Sequence, residues 1–322
     1  MLTIKLLLPA SLLVVFITMF YFNDFGSVNN DRTSERFIVP AGLDNDHITE
    51  KLNSENFIKS TWALNFALNW SKFNGKIQEG GYKLSRSTNT WEIAKILTKE
   101  PYLKWVTIPE GLRKEEIAEI LADRLGWREE NKKQWIKKDT TTKLNYFEGV
   151  YFPDTYLIPK EESTEQVAKR FQAKFEEKFT QYSKEASRQN IKWTTVIKLA
   201  SIIQREAGGE SDMKLISGIL WNRLSKNMRL EVDCTLQYAR GNTPNGWWAP
   251  IKIEDKKINS PYNTYMNSGL PPTPISNPGI KAIEAVLYPE KTNCLYYIHD
   301  NSKNIHCAET YEEHKSNIKK YL

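Results

Sequence analysis

Leu6 to Phe22, LLLPASLLVVFITMFYF, is a run of seventeen uncharged residues, and a helix apolar on every face has no solvent side to offer a water-soluble fold. The run is just long enough to cross the hydrocarbon core of a bilayer. The amino group and Lys5 precede it, whereas Asp24 and Asp31 come first after it. The positive-inside rule therefore leaves the N-terminus in the cytoplasm and everything beyond Phe22 outside. A cleaved signal peptide is the rival reading, but the following FNDFGSVNN lacks a small-x-small cleavage pattern and an early Cys for lipid attachment. Residues 1–22 are thus read as an uncleaved single-pass anchor with its N-terminus in the cytoplasm, and the body as working in an oxidising space beyond the membrane.

The body is large enough for about two domains in a chain of 322 residues. Its 40% apolar and 26% charged residues support a packed globule rather than disorder. The net charge of +6 is spread along the chain, so nucleic acid is not an expected partner. Three scattered cysteines build neither a disulfide framework nor a CxxC zinc knuckle, and the four histidines do not cluster. GxSxG, HExxH, P-loop and GxGxxG patterns are absent, which removes serine hydrolase, zincin, nucleotide and dinucleotide readings. No metal and no cofactor is expected.

The fold class expected is α+β throughout. Residues 23–35 are polar and read as a tether. Residues 36–105 read as a small α+β module: a strand in RFIVP, helices near 47–52 and 61–70, a strand in KIQEGGYKL and a helix over 90–97. A boundary is placed close to Val106, where KWVTIPEG leads into a helix whose Ile117, Ile120, Leu121 and Leu125 recur at helical spacing. A larger α+β domain, 106–322, follows, with helices near 164–189, 195–207, 212–225, 278–287 and 310–320 and a hairpin around LYYIHDNSKNIH.

One residue stands out. In TTVIKLASIIQREAGG a Thr is placed to cap the helix and Gly208 and Gly209 to stop it. Val196, Leu199, Ala200, Ile203 and Ala207 form an apolar stripe, with Lys198, Ser201 and Arg205 opposite. Glu206 lies three, four and seven residues after Ile203, Ile202 and Leu199, so its carboxylate rises from the apolar side in the last turn. Burial and the negative helix pole both favour its protonated form, and a carboxyl protonated near neutrality is a general acid. The alternative is a rim glutamate paired with a lysine or arginine.

Several longer motifs occur in fixed order: EGVYFPDTY (148–156), LASIIQREA (199–207), WNRL (221–224), MRLEVDCTLQY (228–238), INSPYNTY (258–265) and GLPPTPISNPG (269–279). In these the chain resembles the MltG (YceG-like) endolytic murein transglycosylases. Upstream, GKIQEGGYKL (75–84) and VTIPEGLRKEEIAEIL (106–121) resemble that family's LysM-like subdomain and its junction with the catalytic domain. The resemblance implies a single-pass inner-membrane lyase that cuts peptidoglycan glycan strands between N-acetylmuramic acid and N-acetylglucosamine, leaves a 1,6-anhydro end and so ends strand elongation. It implies Glu206 as the catalytic acid and base, Asn222, Asp233, Thr235, Asn263, Thr264 and Tyr265 as residues lining the cleft, and peptidoglycan synthases as partners. A hydrolytic muramidase would need a second carboxylate, for which Asp233, Glu148, Asp154 and Glu210 are candidates. A non-catalytic peptidoglycan-binding module is the remaining alternative, and the loop tryptophans Trp247 and Trp248 are placed to meet sugar rings.

The chain departs from the family pattern in places. Asn227-Met228 replaces Gly-Met, which Asn tolerates because it accepts a left-handed backbone. Glu231-Val232-Asp233-Cys234-Thr235 replaces Gln-Ser-Asp-Pro-Thr, losing a rigid Pro, and Thr273 replaces a Gly. The Pro-rich 269–279 segment is expected to be a stiff wall, with Asn277 capping the next helix. Whether Cys294 and Cys307 face each other across the hairpin depends on a register the sequence leaves open.

Overall fold

The computed structural model describes residues 18–70, 76–140 and 148–322. Most of the expected anchor, up to Ile17, lies outside the described residues, and among those described no helix is long and apolar enough to cross a membrane. The chain divides into two compact units, Met1–Val106 with Tyr156–Glu161, and Thr107–Thr155 with Glu162–Leu322. Each mixes helices and strands.

In the first unit the strands β1 (Glu35–Val39), β2 (Gly80–Leu84), β3 (Leu103–Thr107) and β4 (Thr155–Pro159) form one sheet in that order. β1 runs antiparallel to β2, from Glu35 opposite Leu84 to Val39 opposite Gly80, and β2 is antiparallel to β3 with Gly81 opposite Leu103. The glycine pair is a steric requirement. A Cβ on Gly81 would lie 2.5 Å from the Leu103 side chain, and one on Gly80, at φ +142°, would lie 2.5 Å from the Leu103 carbonyl oxygen. Helices α1 (Asn45–Ser54), α2 (Thr61–Trp70) and α3 (Thr90–Leu97) supply the rest of the core. Ile48 and Leu52, Leu64 and Leu68, and Ile93 and Leu97 pack with Phe37, Val39 and Leu84 from the strands. Asp44 and Asn89 cap α1 and α3 by accepting from the His47 and Glu92 N–H groups. The fourth strand was not among those expected and lies at the sheet edge beside β3.

The polar stretch 23–35 is laid along this unit. Phe25 is buried, stacked on Trp91 with centroids 5.5 Å apart, and Asn29, Asp31 and Phe25 share backbone hydrogen bonds with Arg86, Ser87 and Thr90. Burial of Phe25 and these hydrogen bonds together dock the segment.

The second unit comprises α4 (Lys114–Leu125), α5 (Glu129–Gln134) with a π turn at Trp135–Asp139, α6 (Thr164–Arg188), α7 (Trp193–Glu206), α8 (Met213–Ser225), α9 (Asp233–Arg240), α10 (Ile280–Leu287), the antiparallel hairpin β5 (Tyr296–His299) and β6 (Ile305–Ala308), and α11 (Tyr311–Tyr321). Helix α7 is central, packed against α6, α8, α9 and α10. It is buried on more sides than a single stripe allows. Ile197, Ser201 and Ile202 are as enclosed as Val196 and Leu199, and Ser201 Oγ, expected on the solvent side, accepts from the Ile275 N–H while donating to the Lys198 carbonyl.

Both ends of α7 also differ from expectation. Lys192 is the N-cap, without a side-chain hydrogen bond, and the helix stops at Ala207, which turns extended (φ −67°, ψ 136°). Gly208 and Gly209 instead donate their N–H groups to the Asp212 carboxylate, which His299 Nε2 also contacts at 2.7 Å. Asn277 is not a helix cap; Gly279 is. The Asn277 side chain is buried, where it accepts from the Gly149 and Tyr151 N–H groups and donates to the Leu112 carbonyl and the Glu148 carboxyl. A buried amide with all these partners satisfied fixes three distant segments at one point.

Candidate active site

The last residue of α7 carries the carboxyl. Ala207 leaves the helix extended, and Glu206 at the helix end is half-buried. Its Oε1 accepts the Cys234 N–H at 3.2 Å and its Oε2 accepts the Tyr297 hydroxyl at 2.8 Å. Both oxygens are thus held by a backbone amide and a phenol rather than by a lysine or arginine. Arg205, the neighbouring cation, is turned the other way, its guanidinium 3.9 Å from the Trp248 ring centroid. Burial, with the Glu206 carboxylate adding to it, pushes the Tyr297 phenol and the Cys234 thiol far above their usual ranges. Tyr297 therefore remains an O–H donor at any working pH.

The cleft beside Glu206 has a volume of ≈ 330 Å³, within the range of ligand-binding clefts. Glu231, Asp233 and Tyr265 line one part, and Tyr296, Tyr311 and His314 another. Segments distant in sequence meet here: the end of α7, Arg223 of α8, the loop entering α9, the segment carrying Tyr265, and the hairpin with α11. Arg223 ties two of them together. It is buried, donates from Nη1 to the Arg229 and Leu230 carbonyls and from Nε to the Leu295 carbonyl, and lies 5.0 Å from the Tyr296 ring centroid. His314 stacks on Tyr296 at 5.3 Å. Its Nδ1 is buried without a hydrogen-bond partner among the described residues, and burial, followed by nearby Arg223, lowers its pKa.

The six residues expected to line the cleft fall into three groups. Asp233 and Tyr265 do line it, joined by a 2.6 Å hydrogen bond from the Tyr265 hydroxyl to Asp233 Oδ1. Burial, and then Asp233, raise the pKa of that phenol. Thr235, Asn263 and Thr264 are instead buried framework. The two threonine hydroxyls bond each other at 2.8 Å, Thr264 Oγ1 also accepts the Val232 N–H, and Asn263 Nδ2 donates to the Lys256 and Ile258 carbonyls. Asn222 points away from Glu206 and clamps the Thr292 and Cys294 carbonyls beside a separate surface cleft. In this structure the short polar side chains of these four, Asn222 and Thr235 on helices and Asn263 and Thr264 in a loop, are engaged with backbone groups and with each other.

The loop missing its Pro is held by this framework. Glu231 sits in the left-handed region at φ 51°, a conformation costing roughly 1–2 kcal/mol for a residue with a Cβ, and its N–H bonds the Thr264 carbonyl. Asn227 is also left-handed, at φ 56°. The expected sugar platforms Trp247 and Trp248 are half-buried and engaged with cations, Trp247 with Arg113 at 4.4 Å and Trp248 with Arg205. Trp248 Nε1 donates to Glu116. Of the second-carboxylate candidates only Asp233 lines the cleft. Glu148 is buried, accepting from the Lys114 N–H, with burial raising its pKa; Asp154 accepts the Thr155 N–H; Glu210 is exposed in a short 3-10 turn.

Tyr297 and Arg223 were missed in the sequence. Arg223 stood in the quoted WNRL motif, but nothing there marks it as the link between two loops. Tyr297 sat in a hairpin whose inward-facing side only the register reveals. Cys294 and Cys307 do pair, with Cα atoms 5.9 Å apart, closing the base of that hairpin. Among the described residues no group of three or more His, Cys, Asp or Glu is arranged to hold a metal ion.

The chain thus combines a mixed α+β fold with a helix-end carboxyl, held by a phenol and a backbone amide at the edge of a cleft of tyrosines and carboxylates. The crystal structure of a yceG-like protein from Listeria monocytogenes is similar, with TM-score 0.61 and 28% identity, covering 88% of this chain and 99% of that one. The model of the YceG-like family matches residues 37–320, and the chain belongs to that family. It is 29% identical over 318 residues to the endolytic murein transglycosylase of Bacillus subtilis strain 168, covering 91% of this chain and 86% of that protein. It is 26% identical over 330 residues to the protein of the same name from Streptococcus pneumoniae serotype 2 strain D39, covering 91% of this chain but 60% of that one.

Proposed function

We propose that this protein is an endolytic murein transglycosylase, a lyase that cleaves the glycan strands of peptidoglycan at the bond between N-acetylmuramic acid and N-acetylglucosamine. The observation that carries the reading is the Glu206 carboxyl, held by Tyr297 and the Cys234 N–H at the edge of the cleft. In a lytic reaction one carboxyl serves twice. Glu206 first gives its proton to the glycosidic oxygen, and the C–O bond to the departing sugar breaks. As carboxylate it then takes the proton of the muramic acid C6 hydroxyl, whose oxygen closes onto C1 to give the 1,6-anhydro ring. The two donors stabilise the carboxylate between these steps. No water enters the balance and no second carboxylate is required.

The test is product analysis with Glu206→Gln as control. Incubated with un-nicked glycan, the protein should yield internal cuts with anhydro ends, and the variant should lose at least about 100-fold of the rate, as general acids contribute, while still binding glycan. An unaltered rate in the variant refutes the assignment, and a binding module would show no cleavage in either form. A second reading, a hydrolytic muramidase, is favoured by the presence of Asp233 and Glu231 in the same cleft, since a hydrolase places a second carboxylate near the first. Reducing ends instead of anhydro ends would select it.

The finer readings belong with this one. Residues 1–22 serve as a single-pass anchor with the N-terminus in the cytoplasm, and the body works outside the cytoplasmic (inner) membrane. The first unit is LysM-like and holds glycan for the second, internal cutting ends strand elongation, and peptidoglycan synthases are the partners. These rest on the apolar run and on the motif resemblance. Flotation with membranes and co-purification with a glycan polymerase test them.

A further inference from the structure

Helix α2 is apolar on two opposite sides. Ala63, Leu64, Ala67 and Leu68 are buried in the first unit, whereas Trp62, Phe66 and Trp70, four residues apart, are 54%, 37% and 73% exposed. Their rings stack in a ladder, with centroids 5.5 Å and 5.2 Å apart. The helix, TWALNFALNW, contains no charged residue. A helix side facing water normally carries charge, and a contiguous exposed aromatic patch marks a surface with a partner.

The chain indicates what covers it. Phe20 meets Trp62 edge-on at 6.2 Å, Phe25 meets Trp62 and Phe66 at 5.8 Å and 6.0 Å, and Lys59 Nζ donates to the Phe22 carbonyl. Met19, Phe20 and Phe22 are exposed beside them. Residues 18–22 are the end of the apolar run that starts at Leu6. Where that run leaves a bilayer, the aromatic ladder is in ring contact with it. Indole and phenyl rings at that depth are the side chains that settle at the boundary between acyl chains and headgroups, and Lys59 adds a positive charge at the level of the phosphates.

We propose that the Trp62–Phe66–Trp70 face lies in the interfacial layer of the phospholipid bilayer, so that the first unit rests on the membrane surface through a contact separate from the anchor. The inference rests on reading the apolar run as that anchor, and its test separates the two. Full-length protein is reconstituted in phosphatidylcholine and phosphatidylglycerol vesicles whose lipids carry bromine near the top of the acyl chains, where it quenches tryptophans in contact. Flotation is measured first; a chain that does not float with the vesicles refutes the anchor and the face together. For a floating chain, the quenched share of emission should be roughly a fifth in the wild type, the share of two among the chain's 10 tryptophans, and should fall to near zero when Trp62→Phe and Trp70→Phe are combined. Both substitutions are on the exposed side and leave the buried side of α2 intact. Equal quenching in the wild type and the double variant overturns the face while leaving the anchor standing.

Discussion

Replacing Tyr297 by Phe removes one of the two donors that hold Glu206 and little else. The phenyl ring keeps the packing of the tyrosine, including its edge contact with His299 at 6.0 Å. The 2.8 Å hydrogen bond to Oε2 is charge-assisted whenever the carboxyl is ionised, and hydrogen bonds to charged groups contribute about 1.5–3 kcal/mol. In the proposed reaction that ionised state develops as the glycosidic oxygen takes its proton, so the bond strengthens between ground state and transition state. Losing it should lower kcat by about 10-fold to about 150-fold at 1.4 kcal/mol per decade. KM should change by less than about 2-fold, because the phenol contacts the carboxyl and not the sugar. The assay is the rate of anhydro-end formation on purified glycan, alongside a melting curve to confirm the fold. A kcat within about 2-fold of wild type, or a loss confined to KM, would refute the claim that Tyr297 stabilises the working carboxylate.

Three further outcomes follow from the same geometry. Reducing Cys294–Cys307, separated by 13 positions, should cost about 3 kcal/mol by loop entropy and depress activity, since the hairpin it closes presents Tyr297; urea denaturation with and without reductant measures this, and coincident curves would contradict it. Thr264→Val leaves the Val232 N–H without its Thr264 Oγ1 acceptor and removes the Thr235–Thr264 hydroxyl bond, while Thr235 keeps its bond to the Val232 carbonyl; it should cost about 1–3 kcal/mol, with Thr264→Ser restoring most of it in the same denaturation assay. Asp300 is held down to about 2, first by its hydrogen bond with His306 and then by the Asn304 N–H. Its folded value is below the unfolded one, near 3.9, so its contribution is complete above about pH 4 and lost as pH falls through about 2. The gap in denaturation midpoint between wild type and Asp300→Asn should therefore be present at neutral pH and close over that acidic range.

Helical periodicity and motif order were legible in the sequence. Thr61–Trp70 and Thr90–Leu97 form helices over the range their pattern predicts, and most other helices agree within a few residues, because amphipathic spacing is a local property. Glu206 could be singled out for the same reason, since its position relative to Leu199, Ile202 and Ile203 is set by one helix. The side chains that give it a working environment could not. Cys234 reaches it from 28 residues away and Tyr297 from 91, and no spacing rule connects them.

The sequence by itself determined the family, the α+β class, an apolar N-terminal run and the single carboxyl at the end of its helix, all of which follow from short-range pattern or ordered motifs. Only the tertiary structure decided which polar residues face the cleft and which serve the backbone. It assigned Thr235, Asn263 and Thr264 to the framework, left Asp233 and Tyr265 at the cleft, buried Ser201 and Asn277, and brought in Tyr297 and Arg223. The physical reason is that a hydroxyl or amide has the same chemistry in either role, and its role is set by whether an unsatisfied backbone group or open solvent lies beside it after the chain has packed.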